Sequence, residues 1–291
     1  MKNIGFIGLG IMGKPMAKHL LNAGYQLNVL KSSKVSAAMA GLGATLCDTS
    51  REVAENSDLV ITCLPDSPEV EAIMFGTDGL IEGLSSGMLY IDMSTIAPAM
   101  AIRIDETLSA KGVDCLDAPV SGGQAGAEGA TQSVMVGGSQ KAFDRALPVL
   151  EKMGKNIVRI GKAGSGQVTK ACNQIVVGMT IQAVSEAMTL AKKAGVDVVK
   201  VREALLGGFA QSKILDMHGQ RMIEGNYKPG FKVKLHRKDM NIAMQTGREL
   251  SVPLPGSGLV ATQMDALIAR GNGELDHSAL GKLLEGLSGL D

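Results

Sequence analysis

The residues best suited to chemistry lie in one stretch, GKAGSGQVTKACNQIVVGMTI at 161–181, where Lys170 is followed by Asn173 and Gln174. Positions three and four apart on a helix share a face. A lysine beside two carboxamides can act as an ammonium held by amide partners, which is what a proton donor or acceptor needs. The same residues also describe a solvated lysine near a helix start, and this stretch alone leaves both readings open.

A second site is written at the start of the chain. Asn3 to Ile7 is short and apolar and runs into Gly8, Leu9, Gly10, Ile11, Met12 and Gly13, after which an amphipathic pattern continues to about Asn22. Strand, G-x-G-x-x-G, helix is the context in which that motif binds a dinucleotide. The first glycine allows the tight turn, the second lets the diphosphate approach the backbone, and the third packs the helix on the strand. The diphosphate then meets the positive end of the helix. About 20 residues on, where an acidic residue would hold the ribose of NAD, the chain reads Leu30, Lys31, Ser32, Ser33. A lysine and two hydroxyls suit a 2′-phosphate, so NADP(H) is favoured and NAD(H) remains possible.

These candidates need elements to hold them. Strands are expected at Asn3–Ile7, Gln26–Leu30, Leu59–Cys63, Leu89–Asp92, Asp114–Ala118, Ser133–Val136 and Asn156–Ile160, with helical segments between them. Such alternation implies a mainly parallel, doubly wound sheet of Rossmann type, with ligands at the carboxyl ends of its strands. The loops holding Leu64 and Pro65, Thr95, and Ser121, Gly122 and Gly123 all follow strands. The Ser-Gly-Gly turn can aim a hydroxyl and successive N–H groups at one point, a nest that suits a carboxylate; a flexible turn before the next helix is the other reading.

After Gly166 the strand signal stops. A long helix is expected over Val168–Ala194, then helices at Val198–Leu206, Ile214–Ile223, Asp239–Glu249, Leu259–Arg270 and Ser278–Leu287, punctuated by glycine and proline. The expected division is therefore a dinucleotide-binding domain over 1–163 and an all-α substrate and dimerisation domain over 164–291. A helical half of this size often pairs with a copy to cover its apolar faces, so a homodimer or homotetramer is expected. The run Leu235, His236, Arg237, Lys238, Asp239 reads either as a solvated helix start with Asp239 near the N-cap or as a device that brings Lys238 to the cofactor.

Composition narrows the partners. Lys plus Arg and Asp plus Glu each number 29, and without a basic excess neither nucleic acid nor an anionic membrane is an expected partner. Cys47, Cys63, Cys115 and Cys172 show no C-x-x-C spacing, which argues against a disulfide framework or zinc site and fits a reducing compartment. His19, His218, His236 and His277 have no mutual ligand spacing and read as structural or exposed, so no metal is expected. The opening residues read as a strand rather than a signal peptide, and the apolar run Ile175 to Ile181 is short of the roughly 20 residues a membrane span needs. A cytoplasmic protein is expected.

Four motifs in order carry a resemblance across nearly the whole chain: GFIGLGIMGKPMA at 5–17, DAPVSGG at 117–123, G-x-G-x-x-x-K-x-x-N-Q at 164–174, and Lys238-Asp239. Together they resemble the β-hydroxyacid dehydrogenases. The resemblance implies an NAD(P)H-dependent reductase of a small carboxylate-bearing semialdehyde, reversible toward the 3-hydroxy acid. It implies Lys170 as the catalytic lysine, with Asn173 holding the substrate and Ser121, Gly122 and Gly123 binding its carboxylate. Thr95 and Lys238 would line the nicotinamide and its ribose, and Phe231, Asp239 and Gln174 would lie near the substrate. Lys31-Ser32 departs from the Asp or Asn-Arg of many members, which leaves the choice of dinucleotide open. Imine or phosphogluconate chemistry on the same architecture is less well matched, since imine reductases usually lack the lysine and no clustered phosphate site is evident. A non-catalytic dinucleotide-binding module would have no need of Lys170, Asn173 and the nest together.

Overall fold

The computed structural model describes residues 1–32 and 34–290, so Ser33, one of the hydroxyls noted after the second strand, lies outside the described residues. The chain forms two compact units, Met1–Lys170 and Ala171–Asp291.

The described residues of the first unit build a nine-stranded sheet from β1 (Asn3–Ile7), β2 (Gln26–Leu30), β3 (Thr45–Cys47), β4 (Leu59–Thr62), β5 (Leu89–Asp92), β6 (Asp114–Asp117), β7 (Val120–Ser121), β8 (Gln132–Gly138) and β9 (Gly154–Gly161). The order β3-β2-β1-β4-β5-β6 is parallel throughout. β6 and β7 then run antiparallel to β8 in one register, with Asp117 opposite Gly137 and Val120 opposite Val134. The break between them is Ala118–Pro119, where Met135 N donates to Pro119 O at 3.0 Å. β9 pairs parallel with β8.

The apolar runs of these strands reflect burial on both faces. Successive side chains of a strand point to opposite sides. Leu59, Ile61, Leu89 and Ile91 accordingly join one core, while Val60 and Tyr90 join a second one. The helix Gly13–Asn22 buries Met16, Ala17 and Leu20 as one stripe. The seven strands expected from the sequence are present, three with the expected ends and four with ends shifted by one or two residues, and β3 and β7 are additional.

The helix Ser165–Lys193 starts in the first unit and continues in the second. It begins three residues before the expected Val168, and the units divide at 170/171 where a boundary at 163/164 was expected. The physical reason lies in its first turn, which is bonded to strand ends of the first unit.

In the second unit the helices are Val198–Leu206, Lys213–Ile223, Val233–Glu249, Pro255–Ala269 and Leu280–Leu287, the last preceded by a 3₁₀ turn at His277–Ala279. Ile181, Val184, Met188, Val233, Met240, Val260 and Met264 are among the residues of its core. One expectation is corrected here. Asp239 is not near an N-cap; it lies well inside Val233–Glu249, whose N-cap is Lys232. Val233 N donates to Leu275 O at 2.9 Å and Lys232 bridges Asp276, so backbone pairing starts this helix without a capping side chain.

Candidate active site

The glycine loop has the geometry its spacing implies. Gly8 has φ +102°, and a Cβ there would collide with the Cys63 carbonyl; a Cβ on Gly13 would overlap the Gly8 carbonyl oxygen. A Cβ on Gly10 would meet nothing within 4 Å. Two glycines thus close the turn on itself and on the end of β4, while the third faces open space. A cavity of about 430 Å³ beside the loop is lined by Leu9, Gly10, Ile11, Lys14, Lys18 and Gln124, among others. A helix N-terminus with free N–H groups, an open backbone approach and two lysines is a donor set that fits a dinucleotide diphosphate.

The other strand-end loops of this unit are bonded to one another. Leu64 N donates to Ser94 Oγ at 2.8 Å, and Ser94 N to Asp92 Oδ1 at 3.1 Å. Gln167, in the first turn of Ser165–Lys193, accepts from Ile96 N at 3.1 Å and donates to Ser94 O at 2.9 Å, which grips both sides of Thr95. The buried Asp117 carboxylate accepts from Gly164 N at 2.8 Å and Gln167 N at 2.9 Å, capping that helix from the end of β6. Burial pushes the Asp117 carboxyl up, with Asp92 adding to the rise, against the two N–H donors that hold it down. Gly122 has φ +139° and Gly123 φ +60°, and Gly122 is the N-cap of the helix Gly123–Glu128. Only glycine holds such a pair easily, so the Ser121 turn is a shaped one. Pro65 is exposed, and Leu64, Thr95 and Ser121 are half-buried. Lys31 and Ser32 follow β2 on the surface, and Lys31 Nζ lies 3.3 Å from Asp48 Oδ1.

Lys170 is only 6% exposed. Lysines are almost never so buried as ornaments of a surface, and the solvated reading falls away. Asn173 and Gln174 follow on the same helix and are bonded in series. Asn173 Nδ2 donates to Gln174 Oε1 at 2.7 Å, and Gln174 Nε2 to Asp239 Oδ2 at 2.6 Å. Lys238 Nζ lies 3.0 Å from Asp239 Oδ1. The second unit therefore brings Asn173, Gln174, Lys238 and Asp239 into one polar chain.

Three of the four histidines, read above as unrelated, meet in this unit. His236 Nε2 is 3.2 Å from the Gln174 carbonyl oxygen, His236 Nδ1 is 2.9 Å from His277 Nδ1, and His277 Nε2 is 3.2 Å from His218 Nε2. The Phe231 ring packs at 5.8 Å from His236 and 5.5 Å from His277. Sequence separations of 41 and 59 residues hid the row. Among the described residues, His218, Asp276 and His277 are the group whose atoms are of metal-ligand type. Asp276, however, already accepts from Gly230 N, Phe231 N, Ser278 N and Ser278 Oγ, with Arg221 Nη1 at 3.5 Å. That guanidinium opposes a further cation. Gln167, Asp117 and this row are the neighbours that sequence reasoning missed. The i, i+3 spacing to Lys170 was a usable signal for Gln167, and the first position of the DAPVSGG motif was one for Asp117.

Comparison with known proteins agrees with this layout. Residues 3–161 match the NAD binding domain of 6-phosphogluconate dehydrogenase, and residues 164–284 match the NAD-binding region of NADP-dependent 3-hydroxyisobutyrate dehydrogenase. The chain is 46% identical over 282 residues to 2-hydroxy-3-oxopropionate reductase of Escherichia coli, covering 97% of each chain. It is 37% identical to 3-hydroxyisobutyrate dehydrogenase of Pseudomonas aeruginosa, covering 98% of this chain and 99% of that one. The solved 3-hydroxyisobutyrate dehydrogenase of Mycobacterium tuberculosis with L-serine superposes with a TM-score of 0.89 at 32% identity, over 98% of this chain and 99% of that one. Relatives named as reductases and dehydrogenases acting on hydroxyl groups, a nicotinamide-dinucleotide fold and near-complete coverage place this oxidoreductase in the β-hydroxyacid dehydrogenase family.

Proposed function

We propose that the chain reduces tartronate semialdehyde to glycerate with NADPH, with Lys170 as general acid. The observation that carries this reading is the burial of Lys170, 6% exposed and one turn from Asn173. The 46% identity to a 2-hydroxy-3-oxopropionate reductase supports the substrate.

The substrate carboxylate docks on Ser121 Oγ and the N–H groups of Gly122 and Gly123. When bound, the reduced dinucleotide supplies the hydride to the aldehyde carbon. Lys170 donates a proton to the forming alkoxide, and in the reverse direction neutral Lys170 takes the hydroxyl proton. An ordinary lysine titrates near ~10.4, and a base for that direction works best near ~7–8. Asn173 holds the reacting oxygen in geometry. Thr95 sits in a loop held by Gln167, which would keep it in place beside a bound nicotinamide. The family resemblance assigns Lys238, here paired with Asp239, to the cofactor ribose and Phe231 to the neighbourhood of the substrate.

Lys31 and Ser32 favour the 2′-phosphate of NADP(H). The Asp48 carboxylate 3.3 Å from Lys31 favours the second reading, NAD(H). Other short semialdehydes, those of 3-hydroxyisobutyrate dehydrogenase and of the glyoxylate and succinic semialdehyde reductases, are the alternative substrates. The cysteines are free and no described helix is long and apolar enough to cross a membrane; a cytoplasmic homo-oligomer is the proposed form, with Leu190 and Phe209 among the exposed apolar residues of the second unit.

The test is NADPH oxidation at 340 nm with tartronate semialdehyde and a panel of short semialdehydes, run on wild type and Lys170→Ala. A positioned general acid contributes ~10²–10⁴, so kcat should fall at least a hundredfold while NADPH affinity, read by fluorescence titration, is kept. Turnover within tenfold of wild type sinks the role of Lys170. No turnover of any semialdehyde by wild type would leave a dinucleotide-binding module.

A further inference from the structure

Two hydrogen-bond chains leave Gln174, one from its side chain and one from its backbone, and both reach the helix Val233–Glu249. Each has a direction that follows from chemistry alone. A carboxylate only accepts, so Asp239 obliges Gln174 to present its NH₂, which turns Gln174 Oε1 toward Asn173. Asn173 then donates with Nδ2 and keeps Oδ1 as a free-standing acceptor for a donor such as an ammonium or hydroxyl. A carbonyl also only accepts, so His236 carries its proton on Nε2 and offers Nδ1 as acceptor. His277 must then carry its proton on Nδ1, and its Nε2 accepts from His218 Nε2–H. The row ends at His218 Nδ1, 3.6 Å from Asp276 Oδ1.

We propose that His236 and His277 are positioning residues, which lock Val233–Glu249 onto Gln174 so that Asp239, acting through the Gln174 amide, holds the Asn173 amide with its oxygen left for the reacting groups. The inference rests on Asn173 working beside Lys170. Asp239 sits one turn after His236 on the same helix, so the row fixes both the axial place and the rotation of the residue that sets the amide. Phe231 is carried by the same anchor, because Asp276 holds its N–H at 3.1 Å and His277 N donates to its carbonyl at 2.9 Å.

The row also has one place for an extra proton. His218 can add a proton at Nδ1, facing Asp276, without reversing any bond in the row. A proton on His277 or His236 instead replaces an acceptor with a donor and breaks the chain. The groups around the row oppose that second event. Burial, together with His236, His218 and Arg221, keeps His277 well below the usual histidine range, against the pull of Asp276. Burial and Arg221 hold His218 down as well, again against Asp276.

The test combines variants and labelled histidine. His277→Asn places an amide N–H where Nδ1 was and keeps the link to His236. His277→Gln reaches toward His218 and loses that link. His277→Leu loses both. With the full chain, kcat should fall about tenfold in the Leu and Gln variants with cofactor KM unchanged, and the Asn variant should recover to within about threefold of wild type. Independently of activity, nitrogen-15 spectra of histidine-labelled wild type should show His277 as the Nδ1–H tautomer and His236 as Nε2–H. The side-chain NH₂ signals of Asn173 and Gln174 should shift in His277→Leu. A folded Leu variant with wild-type kcat and unmoved amide signals overturns the positioning role, as does an Nε2–H tautomer at His277. If wild type turns over no semialdehyde, the tautomers and amide signals still decide the chain, and only the proposed function falls.

Discussion

Lys31 and Asp48 show how a single side chain can alter a reading made from spacing. The lysine was visible in the sequence where a 2′-phosphate would lie, but the carboxylate came from the residue after β3, whose end lies beside the end of β2 because Leu30 pairs with Cys47. Both partners are exposed, at 65% and 78% of their side-chain surface, so solvent screens the pair and the lysine remains available to a phosphate. The two charges act oppositely on a dianionic group. Asp48→Ala should therefore lower the KM for NADPH about threefold to tenfold with little change for NADH, and Lys31→Ala should raise it by a similar factor. The ratio of kcat/KM for the two cofactors measures this. If neither substitution moves that ratio, the 2′-phosphate does not lie here.

At the scale of elements, the start of Ser165–Lys193 carries more than its length suggests. Asp117 caps it from β6 and Gln167 ties it to the loop around Thr95. Asp117→Ala leaves two buried N–H groups without an acceptor, each worth ~1–3 kcal/mol, so urea unfolding should show a loss of about 2–4 kcal/mol. Hydrogen exchange should rise at 164–168 and at 94–97; a loss under 1 kcal/mol with unchanged exchange would show that the cap is idle. The strands of the parallel sheet were legible because Leu59 to Thr62 and Leu89 to Asp92 are apolar runs bounded by turns. β3 and β7, at three and two residues, are too short to show a period. The helix holding Asp239 was placed six residues late because Lys232 gives no capping signal and Lys234 to Lys238 are mostly polar. Lys170, Asn173 and Gln174 were legible as helix neighbours, but the link from Gln174 to Asp239 spans 65 residues. Such a pairing has no local signature.

Over the whole molecule, the buried titratable groups divide by unit in a way that sets its response to acid. In the second unit His277 and His218 have depressed folded-state values, chiefly through burial. A histidine so depressed binds its proton in the unfolded chain first, near ~6.5. Its contribution to stability is therefore complete above that pH and is lost as pH falls toward the folded value, because over that interval the unfolded state holds more protons. In the first unit Asp117 is shifted upward, again chiefly by burial. There the folded state takes up the proton first, so acidification relieves a strain instead of adding one. Between pH 7.5 and 5.5 the loss should thus fall on the second unit, by up to about tenfold in opening equilibrium for one histidine that stays neutral. Segment-resolved hydrogen exchange on the intact chain, corrected for intrinsic rates, reads this directly. Protection should drop in Lys213–Ile223 and Val233–Glu249 while β4 and β5 hold. A uniform drop, or one that begins in the sheet, would mean that the histidine row does not govern the acid response.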